Sequence, residues 1–146
     1  MRLVEASYEH IPHLAQNMRE ADVREVRALG RSPADALKAG LDASLWALTA
    51  IEDEPVAMLG VASRSMIEGV GVPWMLGTER VYASGRALLE LSPPVIGEMM
   101  ATFTRLENIV DANNVRALRF LRWSGFEVGE EPIEMGGVQF LRFERR

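Results

Sequence analysis

Between Val110 and Phe126 the sequence VDANNVRALRFLRWSGF changes hydrophobic period twice, and this stretch constrains the fold more than any other. The apolar run Leu106 to Val110 reads as a strand, Asn113 or Asn114 as a helix cap, and Val115 to Trp123 as a helix that Gly125 closes. Phe126 then begins the next strand. Ala117 permits close helix packing, and Phe126 has the bulk to fill the core as that strand begins. A chain with this unit has to lay helices against a sheet.

The remaining punctuation extends that pattern in both directions. Arg2 to Ala6 reads as a short strand, and Ser7 caps a helix whose apolar positions Ile11, Leu14, Ala15 and Met18 recur at helical spacing. Polar residues crowd Arg19 to Arg24 before Val26 and Leu29 resume the stripe, so this long helix is expected to bend or break near Asp22 and to stop at Gly30. Ser32 and Pro33 start a second helix running to about Ala43. Leu45 to Ile51 and Val56 to Ala62 form a strand hairpin around Asp53, Glu54 and Pro55. Trp74 to Gly77 is a fourth strand, followed by a short helix from Glu79 to about Arg86 with Thr78 as its cap. Ser92, Pro93 and Pro94 open a further helix carrying Val95, Ile96, Met99, Met100 and Phe103. Phe126 to Met135 and Val138 to Phe143, around Gly136 and Gly137, read as a terminal hairpin.

With 146 residues and no linker-like tract, the expectation is one domain over 1–146. A net charge of -5 argues against a duplex-binding surface, and zero cysteines exclude disulfides, thiolate nucleophiles and Cys-based zinc sites. His10 and His13 share a helix face without a third ligand, so no metal is expected. Met1 to His10 lacks the apolar core of a signal peptide, and no apolar run reaches the roughly 18 residues of a membrane span. Nucleic acid and membrane are therefore not expected partners, and the chain is expected to stay in the cytoplasm where it is made.

The spacing of Val110-Asp111, Asn114, Ala117, Gly125 and Phe126 resembles the V-D…N-x-x-A-x-x-x-Y-x-x-x-G-F pattern of the GNAT acyl-CoA N-acyltransferases. The stretches NMREADVREVRALG, WMLGTERV and RLENIVDANNVRALRFLRWSGF resemble GNAT-like proteins of tailed bacteriophages, some of them internal virion proteins. The resemblance implies an α/β three-layer fold: a mixed, mostly antiparallel central sheet of about seven strands with helices on both faces. It implies acyl transfer from acetyl-CoA or another acyl-CoA to an amine of a small molecule or protein. The alternative is a catalytically silent phage protein that binds other virion proteins, with oligomerisation open in either case, and the location that the resemblance implies is the bacterial host cytoplasm or a virion. Two departures separate this sequence from the family pattern. The Arg/Gln-x-x-Gly-x-Gly/Ala diphosphate loop is not found in ERVYASGRALLELSPP, and the Tyr that protonates the leaving thiolate is replaced by Leu121.

The implied cofactor positions are Leu76, Gly77 and Thr78 at the end of the fourth strand and Asn114 beside the pantetheine arm. As helix caps, Thr78 and Asn114 are explained without a ligand. Glu79 is the candidate general base, with Arg19, Asp22 and Glu25 as candidates for substrate contact; for each the reading as a solvated charge comes first, because buried functional carboxylates are rare. Trp46, Trp74 and Trp123 are expected in core or interface packing, and Arg116, Arg119 and Arg122 on a solvated helix face.

Overall fold

The computed structural model describes residues 1–83 and 85–146. A strand β1 (Arg2–Glu5) leads through a 3-10 turn at Tyr8–His10 into α1 (Ile11–Gln16), α2 (Glu20–Ala28) and α3 (Pro33–Ala43). The strands β2 (Ser44–Ile51), β3 (Pro55–Ser65) and β4 (Val70–Gly77) follow, then α4 (Arg80–Ala83) and α5 (Gly85–Thr102). The chain closes with β5 (Arg105–Asp111), α6 (Val115–Trp123), β6 (Glu127–Val128), β7 (Ile133–Met135) and β8 (Val138–Arg145). The strands form one sheet of eight in the order β1-β2-β3-β4-β5-β8-β6, with β7 also on β8; all pairs are antiparallel except β4 with β5. Leu14, Leu37 and Met58 pack on one face with α1 to α3, and Ile96, Met99, Phe103 and Leu118 on the other with α5 and α6. The three-layer mixed sheet agrees with the expected fold. Among the described residues no helix is long and apolar enough to cross a membrane.

Several element boundaries differ from expectation, each for a tertiary reason. The first helix breaks at Asn17 to Arg19 rather than near Asp22, because Met18 forms a β-bridge with Thr78 and the Arg19 N–H bonds to the Gly77 carbonyl at 2.9 Å. Pro93 and Pro94 lie inside α5 instead of starting it. The buried stripe of Leu88, Ser92, Ile96 and Met99 runs through them and holds the helix together despite the amide hydrogens that they lack, with the Ser92 hydroxyl donating to the Leu88 carbonyl. The expected helix over Glu79 to Arg86 is replaced by the single turn α4 and the start of α5. In the terminal hairpin, Gly129 to Pro132 interrupts one long strand into β6 and β7, which pair with successive parts of β8. β4 begins at Val70, four residues ahead of the expected Trp74.

Candidate functional site between two diverging strands

β4 and β5 are paired only at Val70 with Arg105 and Gly71 with Leu106, and then diverge. The cause can be read along the β4 edge. Thr78 donates to Val56 on β3, so the alternation turns the N–H and C=O of Gly71, Pro73, Met75 and Gly77 towards β5. Pro73 has no N–H to continue the ladder. In its place Asn108 donates Nδ2 to the Pro73 carbonyl at 2.8 Å and accepts the Ile109 N–H at 2.8 Å, satisfying an edge group on each strand.

The far end of the gap is spanned by the first turns of α2. Asp22 Oδ2 accepts the Gly77 N–H at 2.9 Å, and Glu25 Oε1 accepts the Asp111 N–H at 2.9 Å and the Asn114 amide at 3.2 Å. Asp22 Oδ1 accepts from the Arg19 guanidinium at 3.0 Å, and Arg19 also reaches Asn114 Oδ1 at 3.4 Å. The guanidinium lies 4.5 Å from the centre of the Tyr82 ring. Arg19 Nε is buried without a hydrogen-bond partner among the described residues. Arg24 braces the arrangement from outside, donating to Asp111 at 2.8 Å.

A cavity of about 490 Å³ takes in the gap between Asn108 and the Asp22–Glu25 pair and extends beyond it as far as Leu3 and Ala36; in the gap apolar side chains such as Val72, Met75, Ala117, Phe120 and Leu121 line it. Leu76, Asp22, Glu25, Asn114 and Tyr82 also line it. Burial pushes the Asp22 carboxyl up to about 6, against the opposing pull of the Gly77 N–H and Arg19. Burial likewise lifts Glu25 to about 7, with the Asp111 N–H and the Asn114 amide opposing and the charges of Asp22 and Asp111 adding to the rise. The Tyr82 phenol, desolvated in the same way, is raised to about 12. The cavity thus holds two carboxyls that exchange protons near neutrality and a phenol that keeps its own.

Of the residues singled out from sequence, Arg19, Asp22, Glu25, Gly77 and Asn114 converge here, with Leu76 on the cavity wall. Thr78 is buried next to them, and its hydroxyl accepts the Arg80 N–H at 3.3 Å. Glu79 is exposed and does not line the cavity. Tyr82 was missed by sequence reasoning; a lone Tyr one turn beyond a strand carries no pattern. Trp46 and Trp74 pack as expected, Trp74 against Gly40 and onto the Ser44 hydroxyl at 2.7 Å, whereas Trp123 is 52% exposed. His10 bonds to Thr49 at 2.8 Å, and among the described residues no His, Asp or Glu cluster is arranged to hold a metal.

The residues fit one part of an acyl-CoA. An extended amide-containing arm finds an apolar cavity of suitable size and the strand edge at Met75, which no other hydrogen bond claims among the described residues. Around Thr78 and Arg80 the described residues offer a diphosphate no cradle; Ser84, between α4 and the start of α5 at Gly85, lies outside them. The Thr78 N–H is committed to Val56, α4 is a single turn, and the Arg80 guanidinium is held by Glu52 at 2.7 Å and Glu54 at 3.4 Å.

The fold is that of solved N-acetyltransferases. The chain superposes on the ribosomal-protein-alanine N-acetyltransferase of Brucella melitensis with a TM-score of 0.68 at 14% identity, covering 99% of each chain. A GNAT-family acetyltransferase of Streptococcus pneumoniae gives 0.62 at 14% identity, over 99% of this chain and 98% of that one. The ribosomal L7/L12 α-N-protein acetyltransferase, solved with coenzyme A, gives 0.66 at 11% identity, over 98% and 92%. No protein-family model matches the sequence. No curated protein matches it either.

Proposed function

We propose that the protein is an N-acyltransferase that takes its acyl group from a pantetheine thioester bound between β4 and β5 and passes it to an amine. The observation that carries this reading is the placement of Glu25 and Tyr82 on one cavity. The donor supplies an activated thioester carbonyl. Glu25 accepts the proton that an ammonium acceptor has to lose before its nitrogen can attack, a role suited to a carboxyl near 7. The new C–N bond forms as the C–S bond breaks; the Tyr82 hydroxyl, neutral at physiological pH, gives its proton to the departing sulfur and is restored by the second proton that the acylated nitrogen sheds. Tyr82 thereby does from α4 what Leu121 cannot do from α6. Asp22 and Asn114 hold α2 and α6 in register, so that the two proton-carrying groups face one space.

A second reading is favoured by the Gly77 N–H, which Asp22 already occupies at the very end of the β4 edge. On that reading the cleft is a closed remnant, and the fold serves as a module that binds other proteins, virion components among them. Calorimetric titration with acetyl-pantetheine separates the two. One-to-one binding that Ala117→Phe weakens supports the transferase; absence of binding at millimolar ligand supports the silent module. A panel of amines followed by mass spectrometry then identifies the acceptor class.

A further inference from the structure

The outer face of α6 continues from the cleft rim and has an unusual character. Taken at 100° per residue, Val115, Arg116, Arg119, Arg122 and Trp123 fall within one third of the helix circumference, opposite the Ala117 and Leu121 side that lines the cavity. All five are exposed, Val115 to 60% and Trp123 to 52%. The sequence of α6, VRALRFLRW, contains no acid to balance the arginines, and none of the three makes an ion pair among the described residues. This face is cationic on a protein of net charge -5.

One contact ties the face to the cleft. Trp123 stacks on Phe120, itself a cavity residue, with ring centres 6.5 Å apart. An exposed apolar and basic face of this kind is suited to an acidic protein, since aromatic and Arg side chains are the usual anchors of an interface and opposite charge guides the approach.

Resting on the transferase reading, we infer that the donor is a small acidic carrier protein whose phosphopantetheine arm enters between β4 and β5 while its acidic surface docks on Arg116, Arg119, Arg122 and Trp123. The unbalanced helix face beside the cleft is thereby explained. A protein-borne arm carries a single phosphodiester, which arrives at the rim beside Arg116, and needs no nucleotide site. Affinity that a nucleotide would draw from a glycine-rich loop comes here from the protein surface.

The test compares four probes by calorimetry at low ionic strength: a bacterial holo-acyl carrier protein, its apo form, free pantetheine and coenzyme A. Holo-carrier is expected to bind at least tenfold more tightly than apo-carrier or pantetheine. The triple charge reversal Arg116→Glu, Arg119→Glu, Arg122→Glu, all at exposed positions, should abolish that gain and leave pantetheine binding unchanged. Tighter binding of coenzyme A than of holo-carrier overturns the inference while the transferase reading stands. So does carrier binding that is indifferent to the charge reversal or to the arm. Failure of pantetheine itself to bind overturns both.

Discussion

The Asp22 carboxylate and the Gly77 amide are joined at 2.9 Å, a bond from the first turn of a helix to the free edge of a strand. It fixes the width of the gap between β4 and β5. The same carboxylate partners a guanidinium that is itself buried, so the contact is electrostatic as well as geometric.

Removing one member of this pair strands the other. Asp22→Ala leaves the Arg19 charge and the Gly77 N–H without their partner, and a loss of about 3 kcal/mol is expected in chemical denaturation. The double variant Arg19→Met, Asp22→Leu should recover much of it, because the stranded charge is gone and only the Gly77 N–H stays unpaired. A denaturation midpoint that returns most of the way to the parent's distinguishes charge burial from simple packing.

Glu25 and Asp22 together give stability a defined pH slope. Their folded-state values of about 7 and about 6 lie above the ordinary 4.5 and 3.8, so the folded state binds more protons between those limits. Their contribution is complete below about pH 4 and declines as pH rises through 6 to 7, by about 3 kcal/mol at most for each group. Glu25→Gln keeps an acceptor for the Asp111 N–H and the Asn114 amide, and should flatten the upper part of that slope in melts collected from pH 5 to 8.

In acyl transfer to whichever amine the panel identifies, Glu25→Gln should lower the rate about 100-fold or more and remove the acidic limb of the pH profile. Tyr82→Phe should lower it about 100-fold with unchanged affinity for acetyl-pantetheine. A Tyr82→Phe enzyme of undiminished rate would show that solvent protonates the leaving thiolate.

Gly136 and Gly137 provide a control on how the terminal hairpin grips α2. Both have positive φ, +58° and +79°, but a Cβ at Gly136 would sit 2.2 Å from the Ala28 carbonyl oxygen, whereas one at Gly137 meets nothing within 4 Å. Gly137→Ala should cost only the left-handed backbone penalty of about 1 kcal/mol. Gly136→Ala should cost more and increase amide exchange in β7 and the C-terminal turn of α2, measurable by hydrogen–deuterium exchange.

Much of the architecture was legible because its signals are local. Ser32 with Pro33 starts α3, and Asn114 caps α6 through the Ala117 N–H at 3.4 Å, while Gly125 at φ +90° closes that helix. The failures have a common origin. Pro93 and Pro94 read as a helix start, yet they sit within α5 because a buried stripe on both sides outweighs the local preference. The first helix breaks early because Met18 and Arg19 are claimed by the end of β4.

The sequence alone determined the helix-on-sheet architecture and the Leu at the expected acid position, both of which depend on residue identity and short spacing. Only the tertiary structure decided which acids share the cleft, and that Tyr82 faces them. Asp22 and Gly77 are 55 residues apart and Glu25 and Asp111 are 86 apart, so no local period encodes either contact. A carboxyl is lifted towards neutrality by what the folded chain packs around it, and that environment comes into being only when β4 and β5 diverge at Pro73 and α2 spans the gap.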